Sequence, residues 1–170
     1  MADAPAAAFL RLMARMVADG FAPAPLLAVL KHPLCSAGME RGAWLDAVRA
    51  LERKCLRGPR PAAGLDALRA ALPKGDTALL GLLDALQSAL GDFTALPPSP
   101  ARPPADLLTL HLTAAEALAA TPDIPGGLRL YAGEEGEALA RYLAALAVAL
   151  VEVPPIKPAE WPAAFDAMLA

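Results

Sequence analysis

Arg41, Arg49, Arg53 and Arg57 stand eight, four and four residues apart. Four residues is just over one turn, so on an α-helix they form a band along one side. A guanidinium is a planar fork of donors that fits a phosphate or a carboxylate. The band can therefore meet DNA phosphates or an acidic partner surface. The plainer alternative is a solvated face whose charges pair with Asp46, Glu52 or acids elsewhere. No aromatic or amide residues accompany the band to stack on bases or read their edges, so any contact with DNA would be through phosphates.

The other chemistry-bearing residues do not assemble into a site. Glu134 and Glu135 are adjacent, and on a helix adjacent side chains diverge by about 100°. They suit the first turn of a helix, where the dipole favours acids. His32 and His111 are assigned to different helices and lack cysteine or carboxylate partners at metal-ligand spacing. His32, just before Pro33, is placed to hydrogen-bond a helix-end carbonyl. Cys35 and Cys55 make neither a disulfide framework nor a metal site. Cys55 falls on an apolar helix face as a small buried hydrophobe. Reduced thiols suit a cytoplasmic location. No G-x-x-x-x-G-K-[ST] loop is present to cradle phosphates, and no carboxylate cluster to hold a nuclease metal. Leu79-Leu80-Gly81-Leu82-Leu83 matches a short docking pattern, L-x-x-L-L, but leucine-rich core helices match it routinely. No catalytic, cofactor-binding or metal residue and no small-molecule ligand is expected. Nor is any enzymatic activity expected of this chain alone.

The elements that must carry these residues are helical. The 170 residues are 56% hydrophobic but only 5% aromatic. Alanine and leucine supply most of the apolar content, and both are strong helix formers. That points to one all-α domain, 1–170, of about eight helices packed on each other. Apolar spacing places them at 6–18, 25–31, 40–56, 65–72, 77–90, 105–120, 134–151 and 159–169. The helix at 77–90 is apolar over the widest arc and is expected at the centre. Residues 128–131 read as a short extended piece. The proline-rich stretch 96–104 reads as a surface crossover rather than a domain boundary. Leu27, Leu30, Val48, Leu51, Leu83 and Leu86 are expected to be buried together. No stretch reaches the roughly 18–20 apolar residues of a membrane span, and no secretory signal is expected. The net charge of −3 hides an asymmetry: 31–74 holds nine Lys and Arg against four Asp and Glu. That basic third can face an acidic partner, DNA included.

The run Leu26-Leu27-Ala28-Val29-Leu30-Lys31-His32-Pro33-Leu34 organises the chain. Pro25 suits the first turn of its helix, and Pro33 stops it. This run resembles a signature of the AddB subunit family of the bacterial AddAB helicase–nuclease, which repairs double-strand DNA breaks. Other stretches fit in order: Phe9-Leu10-Arg11-Leu12 and Gly20-Phe21-Ala22-Pro23 before it, then Arg41-Gly42, Trp44-Leu45 and Val48-Arg49-Ala50-Leu51-Glu52. Leu56-Arg57-Gly58-Pro59-Arg60-Pro61, Gly64-Leu65, 110–118, Gly127-Leu128-Arg129-Leu130, Ala132-Gly133-Glu134 and Trp161-Pro162-Ala163 follow. The resemblance spans nearly the whole chain and contains no catalytic motif.

The resemblance implies a fragment of the helicase-like half that has lost ATP hydrolysis, similar to the accessory 2B subdomain of superfamily-one helicases. It implies three partners: the rest of its own parent subunit, an AddA-like helicase–nuclease subunit, and DNA in the whole complex. The nuclease domain and iron–sulfur cysteines of such proteins lie far downstream. Family members use this half in recognising the Chi sequence, and no Chi-contacting residue carries over to a position here. From a different class, the chain reads as a free-standing helical protein–protein interaction domain unrelated to DNA.

Overall fold

A computed structural model describes residues 4–58, 61–95 and 100–170. Among them the chain forms nine α-helices and no strand. α1 is Pro5–Ala18, α2 Pro23–Lys31 and α3 Arg41–Leu51, the last continued by a π-helical turn Glu52–Leu56. α4 is Leu65–Ala70 and α5 Thr77–Leu90, followed by a 3₁₀ turn Gly91–Ala95. α6 is Pro104–Ala119, α7 Gly126–Leu130, α8 Gly133–Ala149 and α9 Trp161–Leu169. Helices packed on helices are what an Ala/Leu-rich chain with few β-branched residues can build.

Local signals set most boundaries. Pro5, Pro23 and Pro104 begin their helices in the first turn, where a missing N–H costs nothing. The Glu40 carboxylate caps α3 by accepting from Ala43 N–H at 2.9 Å, and Asp76 caps α5 by accepting from Leu79 N–H at 3.2 Å. Arg102, just before Pro103, and Ile156, just after Pro155, exchange two backbone hydrogen bonds, at 2.9 and 3.0 Å. These bonds join the proline-rich stretch to the linker before α9. The rest of that stretch, 96–99, and Pro59 and Arg60 of the α3 terminator lie outside the described residues.

One apolar core runs through buried residues of all nine helices. Its centre is α6 rather than α5: α6 packs against α1, α5, α7 and α8. α5 buries Leu79, Leu82, Leu83, Leu86 and Leu90, yet leaves Gly81, Asp84 and Gln87 exposed. Its apolar arc is wide in composition, but only one side finds neighbours. Leu30, Val48, Leu51, Leu83 and Leu86 are buried as expected. Leu27 is half-exposed, because α2 turns Leu26, Val29 and Leu30 inward at i, i+3 and i+4. In α9, Trp161, Phe165 and Leu169 are buried and Met168 is only partly so.

Residues 128–131 are not extended. Gly126–Leu130 is a helical turn pressed against α6. Its first glycine explains the difference: a Cβ on Gly126 would fall on the Glu116 backbone carbonyl. Gly136 of α8 is also pressed against a backbone, that of Tyr131, though less closely. Two glycines thus let three helices meet backbone to backbone, which apolar periodicity does not encode. A methyl group added to Gly81 would meet nothing within 4 Å. Gly126→Ala is therefore expected to lower stability by about 3 kcal/mol or more. Gly81→Ala, relieving a mid-helix glycine, is expected to raise it by about 0.5–1 kcal/mol. Chemical denaturation of the two variants checks this, and similar midpoints for both would contradict the close approach.

Candidate nucleic-acid interface

The basic band is carried by α3 and the π-helical turn, and their local structure decides what each arginine can do. Pro33 ends α2 and leaves its last carbonyls without helical partners. Every backbone carbonyl from Val29 to Ser36 nevertheless has one. Val29 O accepts from His32 N–H, His32 O from Cys35 N–H, and Ser36 O from Met39 N–H. Leu30 O accepts from the Trp44 indole at 2.9 Å. Lys31 O accepts from Arg41 Nη2 at 3.2 Å, and Cys35 O from Arg41 Nη1. Arg129 of α7 takes the remaining two. It donates to Pro33 O at 3.3 Å and Leu34 O at 3.2 Å, and also to Ala119 O at the end of α6.

Arg41 is therefore set apart from the other three candidates. It is half-buried and spent in part on carbonyls, and burial lowers its pKa, with the nearby Arg129 charge adding to the effect. Arg49, Arg53 and Arg57 are exposed. Arg49 pairs with Asp46 at 2.9 Å and Arg57 with Glu52 at 3.6 Å. Lys31 also reaches Glu52, at 2.7 Å, and that hydrogen bond holds the Glu52 carboxyl below its usual range. Arg53 has no ion-pair partner among the described residues. Exposed pairs of this kind are worth roughly 0–1 kcal/mol, so they yield readily to a competing phosphate. Below Arg53 the chain leaves α-helical geometry: Arg57 N–H bonds Glu52 O, five residues back, at 3.1 Å.

Sequence reasoning misses Arg129 as a functional-site candidate. Nothing in local spacing reveals it, because its acceptors at Pro33 and Leu34 lie about 95 residues away. His32 does not donate to a helix-end carbonyl. Its Nδ1 accepts from Leu34 N–H at 3.3 Å, its ring stacks on Phe9 at 4.9 Å, and burial, with the Arg41 charge, lowers its pKa. Ser36 is buried with no partner for its Oγ among the described residues. Burial pushes the Cys35 thiol well above its ordinary value, which keeps it a protonated, unreactive group.

His111 is fully buried in α6. Its Nε2 lies 3.0 Å from Leu10 O, and its Nδ1 lies 3.2 Å from the Trp161 indole N–H. A donor must face the carbonyl and an acceptor must face the indole, so the ring is the neutral Nε2–H tautomer. Phe93 stacks on one face at 4.8 Å and Phe165 meets it edge-on at 4.7 Å. The histidine thus ties α1, α6 and α9 together. Among the described residues no three His, Cys, Asp or Glu side chains converge as a metal group would require. No helix among them is long and apolar enough to cross a membrane. An open recess of about 470 Å³ lies beside Gly20, Phe21 and Gly64, and among the described residues Asp19 is its one charged lining side chain.

No family model, curated protein or solved structure matches the chain.

Burial lowers the His111 pKa from 6.5 to about 3. The folded pKa is depressed, so the unfolded chain binds the proton first as the pH falls. The stabilisation is complete above about 6.5 and is lost progressively from there toward 3. His111 ring signals in NMR are expected not to titrate between pH 8 and 4.5, and a midpoint near 6.5 would contradict the buried, neutral ring.

Proposed function

We propose that this chain is a non-catalytic helical module of an AddB-like subunit. It would act within an ATP-dependent helicase–nuclease that processes double-strand DNA breaks for recombinational repair. One observation carries the reading beyond sequence order. Residues from separate family-like stretches, Phe9, Lys31 to Leu34, Arg41, Trp44 and Arg129, meet around a single loop. This supports reading the stretches as parts of one folded unit rather than as chance matches.

In that role the chain supplies shape and charge rather than chemistry. Its partners would be the rest of its own subunit, an AddA-like subunit, and DNA in the assembled complex. The exposed Arg49, Arg53 and Arg57 would meet DNA phosphates, with Arg53 free to engage first. Arg41, turned to Lys31 O and Cys35 O, would hold the helix that presents them. The second reading, a free-standing protein-interaction domain, has its own support in large apolar side chains left exposed. Leu128 is 70%, Val148 74% and Val151 66% exposed.

The open reading frame distinguishes the two readings: continuation beyond the codon for Ala170 into a nuclease region favours the first, and an immediate stop codon opposes it. The DNA contact is measured in the assembled helicase–nuclease, as affinity over a salt series. Each phosphate contact adds about −0.9 to the log–log salt slope on duplex DNA. Arg49→Ala and Arg53→Ala are each expected to flatten the slope by about 0.9. A slope unchanged in both variants would place the band in solvent or on a protein interface.

A further inference from the structure

Arg41 and Arg129 form a second cationic feature, distinct from the exposed band. They come from α3 and α7 and flank the same loop, where between them they hold four carbonyls of residues 31–35. Neither is ion-paired to a carboxylate among the described residues. Nearby acids are otherwise directed. Glu40 turns back onto its own helix N-terminus, at 2.9 Å from Ala43 N. Glu135 lines the shallow recess beside Arg129 without pairing to it. The fold therefore fixes two like charges near each other and leaves them unneutralised. Such a pair is self-repelling, and an anion between or across them relieves the repulsion.

The guanidiniums also keep donors in reserve. Each has five N–H groups. Arg41 uses one on each Nη, and Arg129 uses two on Nη1 and one on Nη2. Three donors remain on Arg41 and two on Arg129. Both side chains are half-buried, with the Nη2 contacts on the solvent side. The carbonyls fix each fork before any ligand arrives, so little side-chain entropy is lost on binding. We propose that Arg41 and Arg129 form a preorganised phosphate-binding site at the rim of the 31–35 loop. It would take a phosphate group, whether free or part of a nucleic-acid backbone. The site stands on this geometry and does not depend on the AddB-like reading.

The test is an NMR titration of the arginine Nε–Hε signals of the wild-type chain, first with inorganic phosphate and then with a short duplex oligonucleotide. The Arg41 and Arg129 signals are expected to shift together and saturate with phosphate, while those of Arg15 and Arg141 on other helices stay still. Saturation at lower oligonucleotide than phosphate concentration identifies a nucleic-acid backbone as the source, and a response to phosphate alone identifies a free phosphate. The Arg141→Gln variant should respond as wild type does, since Arg141, paired with Glu137 on α8, lies outside both the site and the basic band. Uniform shifts of all arginines, or no shift at Arg41 and Arg129, would overturn the proposal.

Discussion

The structure depends on how one helix end is satisfied. Pro33 stops α2 abruptly and strands a row of carbonyls at the edge of the core. The Leu30 O contact is buried and those at Leu34 O and Cys35 O are partly so; a buried carbonyl left unpaired costs about 1–3 kcal/mol, and the chain brings donors to the row. It does so with side chains from the next helix, Trp44 and Arg41 of α3, and from a distant one, Arg129 of α7. Loop residues 36–38 then donate their own N–H groups to Leu118 O and Ala120 O at the end of α6, at 2.8 to 2.9 Å. Two helix C-termini are thereby closed against each other, and α2, α3, α6 and α7 are held in one register.

A second set of constraints fixes the far side of α6. Gly126 and Gly136 allow α7 and α8 to approach at backbone distance. The Tyr131 hydroxyl, beside Glu116 and half-buried, is held above its ordinary pKa by burial and by that carboxylate. His111 joins the same helix to α1 and α9 through one neutral ring. Around it, Phe93, Trp161 and Phe165 supply half of the six buried Phe and Trp side chains. Buried polar groups are stable there because each donor meets an acceptor. The exposed basic band is a by-product of this arrangement: α3 is pinned by Trp44 and Arg41 on one side, which leaves Arg49, Arg53 and Arg57 facing water.

Helix positions were legible in the sequence because their signals are local. Apolar periodicity gave α1 and α5, and prolines marked starts and stops, whereas the Glu40 cap of α3 is seen only in the structure. What was not legible is long-range. The role of Arg129 depends on acceptors about 95 residues away. α7 looked extended because five residues with two glycines carry no helical period, and only contact with Glu116 explains them. Leu27 was expected to be buried because Leu26, Leu27 and Leu30 share one stripe by class, whereas Val29 fills the inner place instead. Of the candidate arginines, the even spacing was real, but spacing could not separate Arg41, which is held by carbonyls, from Arg49, Arg53 and Arg57, which are not. The plain alternative for that face, pairing with Asp46 and Glu52, is present in the structure and leaves Arg53 without an ion pair among the described residues.

Arg129 closes the carbonyl row left by Pro33. The most direct test compares the unfolding free energy of Arg129→Met with that of Arg141→Met, an arginine in an exposed pair with Glu137. Arg129→Met leaves the Pro33, Leu34 and Ala119 carbonyls without their donor and is expected to cost about 1–3 kcal/mol. Arg141→Met should stay within about 0.5 kcal/mol of wild type. Equal, small effects of the two substitutions would contradict the account and reduce Arg129 to a surface charge.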